Sequence, residues 1–250
     1  MSNKTLSIII LAAGLGKRMK SQLPKVLHKV ARIPMLVKII NESRKLNPNK
    51  IFIVVGSYKE IIENTIKEYT TLNNIIFVIQ KKPLGTGDAV KSTLSILLNN
   101  SVNIILNGDT PLLKATTIHK IYNYFIKNNY KLQITAIELD NPTGNGRIIK
   151  NNGIFESIVE ENDCNNLQKQ IKLVNCGIYI ATTTILKNYI PMITNNNIQH
   201  EYYLTDLVEI YLKNEVNTVG LYELSKNQNN EIININNKEQ LESINMILSK

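Results

Sequence analysis

The part of the sequence that most constrains the fold is SIIILAAGLGKRMK at positions 7–20. It begins with an apolar run over 8–13, whose length and β-branched content are typical of a buried strand. The run ends at Gly14 and Gly16, which permit a tight turn that brings backbone N–H groups close to a ligand. Three cationic side chains follow, namely Lys17, Arg18 and Lys20. Positive charge beside such a turn suits a polyphosphate, so the stretch predicts a loop that holds a nucleoside triphosphate.

The first half of the chain alternates strand-like and helix-like segments. Strands are predicted at 51–55, 75–79 and 102–106, and helices at 34–45, 61–69 and 89–98. This alternation predicts an α/β fold with a mostly parallel sheet and helices on both faces. Ligands bind beyond the carboxyl ends of the strands in such sheets. The glycine turn, Gln80 with Gly85, and Asp109 all follow predicted strands, so three loops should meet at one crevice.

The second half is richer in strands and turns. Strands are predicted at 134–139, 173–181 and 218–221, a hairpin at 146–160 around Asn152 and Gly153, and helices at 203–212 and 238–248. We expect the later strands to extend the same sheet and to add a lobe over the crevice. The chain is interpreted as one domain over 1–250, with a nucleotide-binding part over about 1–112, a second part over 113–235 and a closing helix over 236–250.

Composition argues against several other classes of protein. The net charge is +9, but the lysines are dispersed, which favours a solvated lysine-rich surface over a nucleic-acid groove. The two cysteines form neither a disulfide framework nor a metal-ligand pattern. No apolar run reaches the ~18 residues of a membrane span, and the apolar start is interpreted as a core strand rather than a signal peptide. We therefore expect a cytoplasmic protein without membrane insertion.

Two common nucleotide motifs are only partly matched. The dinucleotide fingerprint fails because Met19 occupies the position of its third glycine, and the P-loop fails because Arg18 follows Lys17 where Ser or Thr is needed. Asp109 suits Mg²⁺, which takes oxygen ligands and often uses only one or two protein groups besides phosphates. Taken alone, Asp109 would more often be a turn residue.

The series of motifs resembles a known family. It comprises LAAGLGKRM at 11–19, PKVLH at 24–28, Gln80, LGTG at 84–87, GDTPL at 108–112, GRI at 146–148, IVE at 158–160, Asn175 with Gly177, EYYLTD at 201–206 and NN at 236–237. These motifs resemble the sugar-nucleotide pyrophosphorylases, and among them the N-acetylglucosamine-1-phosphate uridyltransferases, which include the N-terminal domain of the bifunctional GlmU protein. The resemblance covers essentially the whole chain. It implies a Rossmann-like fold of the nucleotide-diphospho-sugar transferase type with a small β-rich sugar-binding lobe, and it makes 113–235 the sugar-binding part of the domain.

The resemblance also assigns roles to individual residues. The implied nucleotide-binding residues are Leu11, Ala13, Gly14, Lys25, Gln80, Gly85 and Thr86, the last three reading uracil. The implied catalytic residues are Arg18, Lys25 and Asp109, and the implied Mg²⁺ ligands are Asp109 and Asn236. The implied substrate-binding residues are Gly146, Glu160, Asn175, Thr205 and Asn236. The side chains suit these roles, since a Gln amide offers both a donor and an acceptor to the imide edge of uracil.

The implied reaction is Mg²⁺-dependent transfer of UMP from UTP to N-acetylglucosamine 1-phosphate, which gives UDP-N-acetylglucosamine and pyrophosphate for peptidoglycan and other cell-envelope precursors. The sugar phosphate is already anionic because its second pKa is about 6, so no general base is required. Three alternatives remain open at this point. They are a related nucleotidyltransferase for another sugar 1-phosphate, a catalytically idle nucleotide-binding protein, and a basic nucleic-acid binder.

Four positions depart from the pattern of the family. Lys17 replaces a usual Thr, Asp88 a common His, Asn107 a common Tyr, and Asn162 a usual Lys. The bifunctional relatives continue into hexapeptide repeats that form a trimerising β-helix with acetyltransferase activity, and no such period is visible in this chain. We expect no acetyltransferase activity from these residues, and a monomer.

Overall fold

The computed structural model describes residues 5–215 and 218–249, which form one large mixed sheet with helices on both faces. The strands are β1 Thr5–Leu11, β2 Lys29–Val30, β3 Ile33–Pro34, β4 Lys50–Val55, β5 Ile75–Ile79, β6 Ser101–Asn107, β7 Leu132–Glu138, β8 Arg147–Asn151, β9 Ile154–Val159, β10 Leu173–Thr182 and β11 Gly220–Glu223. The small strands β2 and β3 pair only with each other.

The main path of the large sheet runs β11-β7-β10-β6-β1-β4-β5, and the hairpin β8–β9 attaches to β10. β1 lies between β4 and β6 and pairs in parallel with both. β10 is antiparallel to both of its neighbours on the path, β6 and β7. The expected mostly parallel α/β sheet is therefore confirmed, and the later strands do extend it.

The helices are α1 Met35–Arg44, α2 Lys59–Tyr69, α3 Thr86–Lys91, α4 Ala115–Lys127, α5 Thr183–Tyr189, α6 Asp206–Asn214 and α7 Lys238–Leu248. Short 3₁₀ helices lie at Lys17–Met19, Lys25–Leu27, Glu161–Asp163, Gln168–Gln170, Ile190–Met192 and Lys226–Ile232. Among the described residues, no helix combines the length and the apolarity that crossing a bilayer requires.

Side-chain alternation along β1 divides the core into two layers. Ile8 and Ile10 are fully buried with the apolar faces of α1, α2 and α4, whereas Ile9 is fully buried with those of α3, α5 and α6. Successive residues of a strand point to opposite faces, so an unbroken apolar run is what a strand covered on both sides requires. The sheet is thereby held rigidly, and its carboxyl edge is left for the loops.

Several predicted boundaries were wrong. The helix predicted at 89–98 is α3, which begins at Thr86 and ends at Lys91. The hydroxyls of Ser92 and Thr93 donate to the carbonyls of Ala89 and Val90, which competes with continued helix. The helix predicted from 203 begins at Asp206, and the last sheet strand begins at Gly220 rather than at 218. Neither α4 nor α5 was predicted from the sequence.

Candidate active site

The carboxyl ends of β1 and β6 lie side by side and begin the site. Leu11 and Asn107 are register partners at these ends, and the Gly108 N–H donates to the Leu11 carbonyl at 2.9 Å. A Cβ on residue 108 would lie 3.0 Å from that carbonyl oxygen, so the close approach of the two loops favours glycine. Asp109 is thus fixed beside the loop that follows β1.

The glycine loop after β1 packs against Lys25. Gly16 has φ +60°, and a Cβ there would lie 2.6 Å from the Lys25 Cβ. Only glycine adopts this conformation readily and leaves room for the lysine. Around Gly14, by contrast, a Cβ would meet no heavy atom within 4 Å. The loop therefore has one side built against protein and one side open.

Four of the predicted residues form a charged cluster next to this loop. The Lys25 ammonium pairs with Asp109 Oδ2 and donates to Asn236 Oδ1 at 2.6 Å. Arg18 Nη2 donates to the same Asn236 oxygen at 3.1 Å. The Lys25 and Asp109 side chains retain only 12% and 18% of their exposure, so their charges lie in a partly desolvated place. There they interact more strongly than charges at an open surface.

The oxygens of this cluster fit a divalent cation. Oxygens of Asp109 and Asn236 already converge on one positively charged group, the Lys25 ammonium. The second carboxylate oxygen, Asp109 Oδ1, is buried and lacks a hydrogen-bond partner among the described residues. A carboxylate and an amide oxygen are hard ligands of the type that Mg²⁺ takes, the other positions being left to phosphate and water.

A cavity of about 150 Å³ lies beside the cluster. Its lining includes four of the five residues predicted to bind the sugar phosphate, two of those predicted to bind the nucleotide, and Asn107. They are Gly146, Glu160, Asn175 and Thr205, then Leu11 and Thr86, and Asn107. The remaining lining residues are Gly144, Asn145, Gly177, Tyr179, Leu204 and Asn234. Polar side chains dominate this lining, as a hydroxyl-rich ligand requires.

A β-bulge in β10 shapes one wall of this cavity. The register with β7 shifts between Asn175 and Tyr179, and Gly177 in between has φ +71°. The Asn175 amide donates to the Tyr179 hydroxyl at 2.8 Å and accepts from the Gly177 N–H at 3.0 Å. Bulges of this kind re-aim side chains beside functional sites. The bulge therefore holds Asn175 at the cavity wall.

Glu160 forms the opposite wall. It accepts a hydrogen bond from Thr205 Oγ1 at 3.1 Å, and a Cβ on Gly146 would lie 3.3 Å from its second oxygen. Burial is the largest cause of its raised pKa; the Thr205 hydrogen bond opposes this effect, and the charges of Asp163 and Glu201 add to it. Glu160 is therefore a carboxyl group of raised pKa in a cavity whose other lining residues are neutral.

Replacement of Asp206 tests whether the acidic side chains around Glu160 destabilise the folded protein. Burial, with the charges of Glu209, Glu160 and Asp163, raises the pKa of Asp206 from 3.8 to about 6. Between these values the folded state binds more protons than the unfolded state, so the destabilisation grows as the pH rises through the window and is complete above it. Asp206→Asn should therefore unfold at a higher temperature than wild type near neutral pH. That advantage should shrink as the pH falls towards 3.8.

Thermal unfolding of both proteins from about pH 4 to about pH 8 measures this difference. Asp140→Asn is the control, because Asp140 is exposed. A constant difference between Asp206→Asn and wild type across the range would contradict the prediction.

Gln80 lies at the far end of the crevice, just after β5. Its side chain is buried, and its amide nitrogen donates to the Gly85 carbonyl at 3.1 Å and to Asp88 Oδ2 at 2.8 Å. Gly85 has φ +118°, and a Cβ there would lie 2.6 Å from the Tyr202 carbonyl oxygen. The Thr86 hydroxyl accepts from the Leu204 N–H at 2.9 Å. The predicted base-reading loop is thus packed on the segment that leads to Thr205.

Sequence reasoning gave no role to several residues that shape the site. Arg147 is fully buried, pairs with Glu161 at 2.7 Å and donates to the Asn145 carbonyl, which lines the cavity. In the sequence, Arg147 was marked only by its place in the GRI motif at 146–148. No sequence motif pointed to Tyr179, the hydrogen-bond partner of Asn175. Lys17 is exposed beside the glycine loop, and nothing in the structure explains its presence.

Comparison with known proteins places these features in context. Residues 8–143 match the family model of the MobA-like NTP transferase domain. The chain is 54% identical over 241 residues, 96% of its length, to a "Probable UDP-N-acetylglucosamine pyrophosphorylase" of Acanthamoeba polyphaga mimivirus, of which it covers 94%. It is 40% identical over 215 residues, 86% of its length, to the "Bifunctional protein GlmU" of Herminiimonas arsenicoxydans, of which it covers 46%. The chain thus spans about half the length of such bifunctional relatives.

Among solved structures, the fold is similar to that of a UDP-glucose pyrophosphorylase complexed with UDP-glucose. The TM-score is 0.75 at 16% identity, with 98% of each chain covered. A putative glucose-1-phosphate thymidylyltransferase from Bacillus anthracis gives a TM-score of 0.73 at 17% identity, with 97% of this chain and 95% of that chain covered. At these identities the likeness establishes the fold alone.

Proposed function

The chain belongs to the nucleotidyltransferase family of the UDP-N-acetylglucosamine pyrophosphorylases, and from this premise we propose that it transfers UMP from UTP to N-acetylglucosamine 1-phosphate. The products are UDP-N-acetylglucosamine and pyrophosphate. The observation that carries the proposal is the cluster of Arg18, Lys25, Asp109 and Asn236 beside a polar cavity walled by Glu160 and Asn175. The cluster suits a triphosphate with its cation, and the cavity suits a sugar.

The nucleotide would lie across the carboxyl edge of the sheet. Leu11, Ala13 and Gly14 would contact it, since the space beside Gly14 is free of protein. Gln80, Gly85 and Thr86 would contact the base. Asp109 and Asn236 would hold Mg²⁺, which when bound would neutralise charge on the phosphates and polarise their oxygens. This arrangement supports a division of labour between residues of about 1–112 and those of 113–235.

The cationic side chains of Arg18 and Lys25 would stabilise the charges that develop during the reaction. A sugar phosphate oxygen attacks the α-phosphorus of UTP in line, the bond to the bridging oxygen breaks, and pyrophosphate leaves. Because that nucleophile is already anionic, the residues need not remove a proton from it. Arg18 and Lys25 would balance the charge that moves onto pyrophosphate. Catalysis would then rest on positioning and preorganised charge.

The sugar phosphate would occupy the cavity. Glu160 accepts hydrogen bonds from hydroxyls, and Asn175 can both donate and accept. Gly146 lets the loop approach Glu160 closely, and Thr205 fixes one oxygen of that carboxylate. Four residues would thus contact the sugar, and the fold brings them together from just before β8, just after β9, within β10 and just before α6.

Pyrophosphate release tests the proposal. Purified protein with Mg²⁺ should release pyrophosphate from UTP only when N-acetylglucosamine 1-phosphate is present. Replacing UTP by the other triphosphates, or the sugar phosphate by glucose 1-phosphate, should lower the rate. A folded protein that is faster with glucose 1-phosphate would identify a different sugar specificity and overturn the proposed acceptor.

Gly14→Ala tests the proposed position of the nucleotide. The added methyl group would meet no protein atom within 4 Å, so the free energy of unfolding should stay within about 1 kcal/mol of wild type. The methyl group would protrude into the space proposed for UTP, so the KM for UTP should rise by about tenfold or more. An unchanged KM in Gly14→Ala would contradict the proposed position.

A further inference from the structure

We infer that Asp88 selects the base: it fixes the amide of Gln80 so that the site accepts a pyrimidine bearing an N3–H and rejects cytosine. This inference rests on the proposed function, because it assumes that Gln80 faces the base of the nucleotide. Asp88 acts through Gln80 and is a positioning residue.

The neighbours of Gln80 determine which way its amide points. The amide nitrogen lies 2.8 Å from Asp88 Oδ2 and 3.1 Å from the Gly85 carbonyl oxygen. Both neighbours are acceptors, and only the NH₂ group of Gln80 can donate to them. The orientation therefore follows from the chemistry of the neighbours.

The remaining atom of the amide, Gln80 Oε1, is available to a ligand. No hydrogen-bond partner is found for it among the residues that the structure describes, and it is not one of the fully buried unpaired atoms. The N–H groups of Gly85 and Thr86 likewise show no partner within 5–215 and 218–249. The loop thus presents an acceptor next to two backbone donors.

This pattern complements uracil and opposes cytosine. Uracil carries an N3–H donor between two carbonyl acceptors, so Oε1 can accept from N3–H while a backbone N–H donates to a carbonyl. Cytosine has a lone pair at N3, which would face the lone pairs of Oε1. The site could accept cytosine only if the Gln80 amide rotated by half a turn. That rotation would place Oε1 against Asp88 and the Gly85 carbonyl, and so both acceptors would lose their donor.

Asp88 is the stronger of these two restraints because it is charged and closer. In Asp88→Ala only the Gly85 carbonyl opposes the rotation. In Asp88→Asn the new side chain has nearly the same shape but can turn its own NH₂ group towards Oε1. Either variant should therefore lower the selectivity for UTP over CTP.

The test is calorimetric titration of UTP and CTP, each with Mg²⁺, into wild type, Asp88→Asn and Asp88→Ala. Wild type should bind UTP at least about tenfold more tightly than CTP, and both variants should reduce this ratio by about threefold or more. A changed charge near the triphosphate alters the affinity for both nucleotides alike, so the ratio isolates the readout of the base. Glu60→Gln, which removes a carboxylate from an exposed position on α2, should keep the wild-type ratio.

Two results would overturn the inference. One is equal affinity of wild type for UTP and CTP, and the other is an unchanged ratio in both folded variants. Pyrophosphate release separates this inference from the proposed function. Turnover of UTP with an unchanged ratio in the variants would refute the role of Asp88 alone. A reduced ratio in the variants without any pyrophosphate release would refute the proposed reaction alone.

Discussion

Asp109→Ala should lower the rate of pyrophosphate release by about 10³-fold or more while the protein stays folded. Asp109 offers one oxygen to Lys25 and keeps a second, buried oxygen without a partner among the described residues. Removing the carboxylate would take away the proposed metal ligand and leave the ammonium paired with Asn236 alone. The charge on the departing pyrophosphate would then be poorly balanced.

Steady-state rates at saturating substrates, together with thermal unfolding, measure this effect. Asp140→Ala is the matched control, because it removes an exposed carboxylate and should leave the rate within about twofold. If folded Asp109→Ala kept its rate within about tenfold of wild type, the proposed catalytic cluster would be wrong.

Arg147→Met should reduce the free energy of unfolding by about 3 kcal/mol. The guanidinium is buried to 1% exposure, pairs with Glu161 at 2.7 Å and donates to the carbonyl of Asn145. Glu161 in turn accepts from the Gly144 N–H at 3.0 Å. Removing the guanidinium takes this donor from the Asn145 carbonyl and leaves Glu161 with the Gly144 N–H alone, and a methionine of similar length cannot replace it.

The loss in Arg147→Met should depend on pH. Burial would raise the pKa of Glu161, but the hydrogen bonds from Arg147 and from the Gly144 N–H outweigh it and lower the pKa below 4.5. A lowered pKa means that the ion pair stabilises the fold above this value and loses its effect as the pH falls through the folded pKa. The deficit of the variant should therefore shrink at acidic pH.

Urea unfolding of Arg147→Met and of Lys213→Met measures these energies. Lys213 pairs with Glu209 on the surface, where the two side chains are 69% and 55% exposed, so its replacement should cost less than about 1 kcal/mol. Equal losses in the two variants would contradict the special role given to the buried pair. Because Asn145 and Gly144 line the cavity, Arg147→Met should also raise the KM for the sugar phosphate.

The parallel strands were the part of the fold best predicted from sequence. β4, β5 and β6 match their predicted ranges to within two residues, because strands buried on both faces are continuous apolar runs between turn residues. α4 was missed although Ile118, Ile121 and Phe125 recur at helical spacing and are buried. The insertion of antiparallel β10 between β6 and β7 depends on pairing between distant segments, which no local pattern encodes.

Tertiary contacts also explain the misplaced helix ends and the missed parts of the site. α6 begins only at Asp206 because the Leu204 N–H is bonded to the Thr86 hydroxyl, far away in sequence. The motifs identified Lys25, Asp109 and Asn236. They did not show that the Lys25 ammonium contacts both Asp109 and Asn236. Likewise, the motif around Arg147 gave no sign that its guanidinium bonds to the carbonyl of Asn145, which lines the cavity.

The most direct test of the proposed reaction is ³¹P NMR of the purified protein with Mg²⁺, UTP and N-acetylglucosamine 1-phosphate. The signals of UTP and of the sugar phosphate should decline together, and those of a sugar nucleotide diphosphate and of pyrophosphate should appear in equal amounts. Omitting the sugar phosphate should leave UTP intact. A folded protein that leaves both substrates unchanged, or that yields inorganic phosphate and UDP, would contradict transfer of UMP.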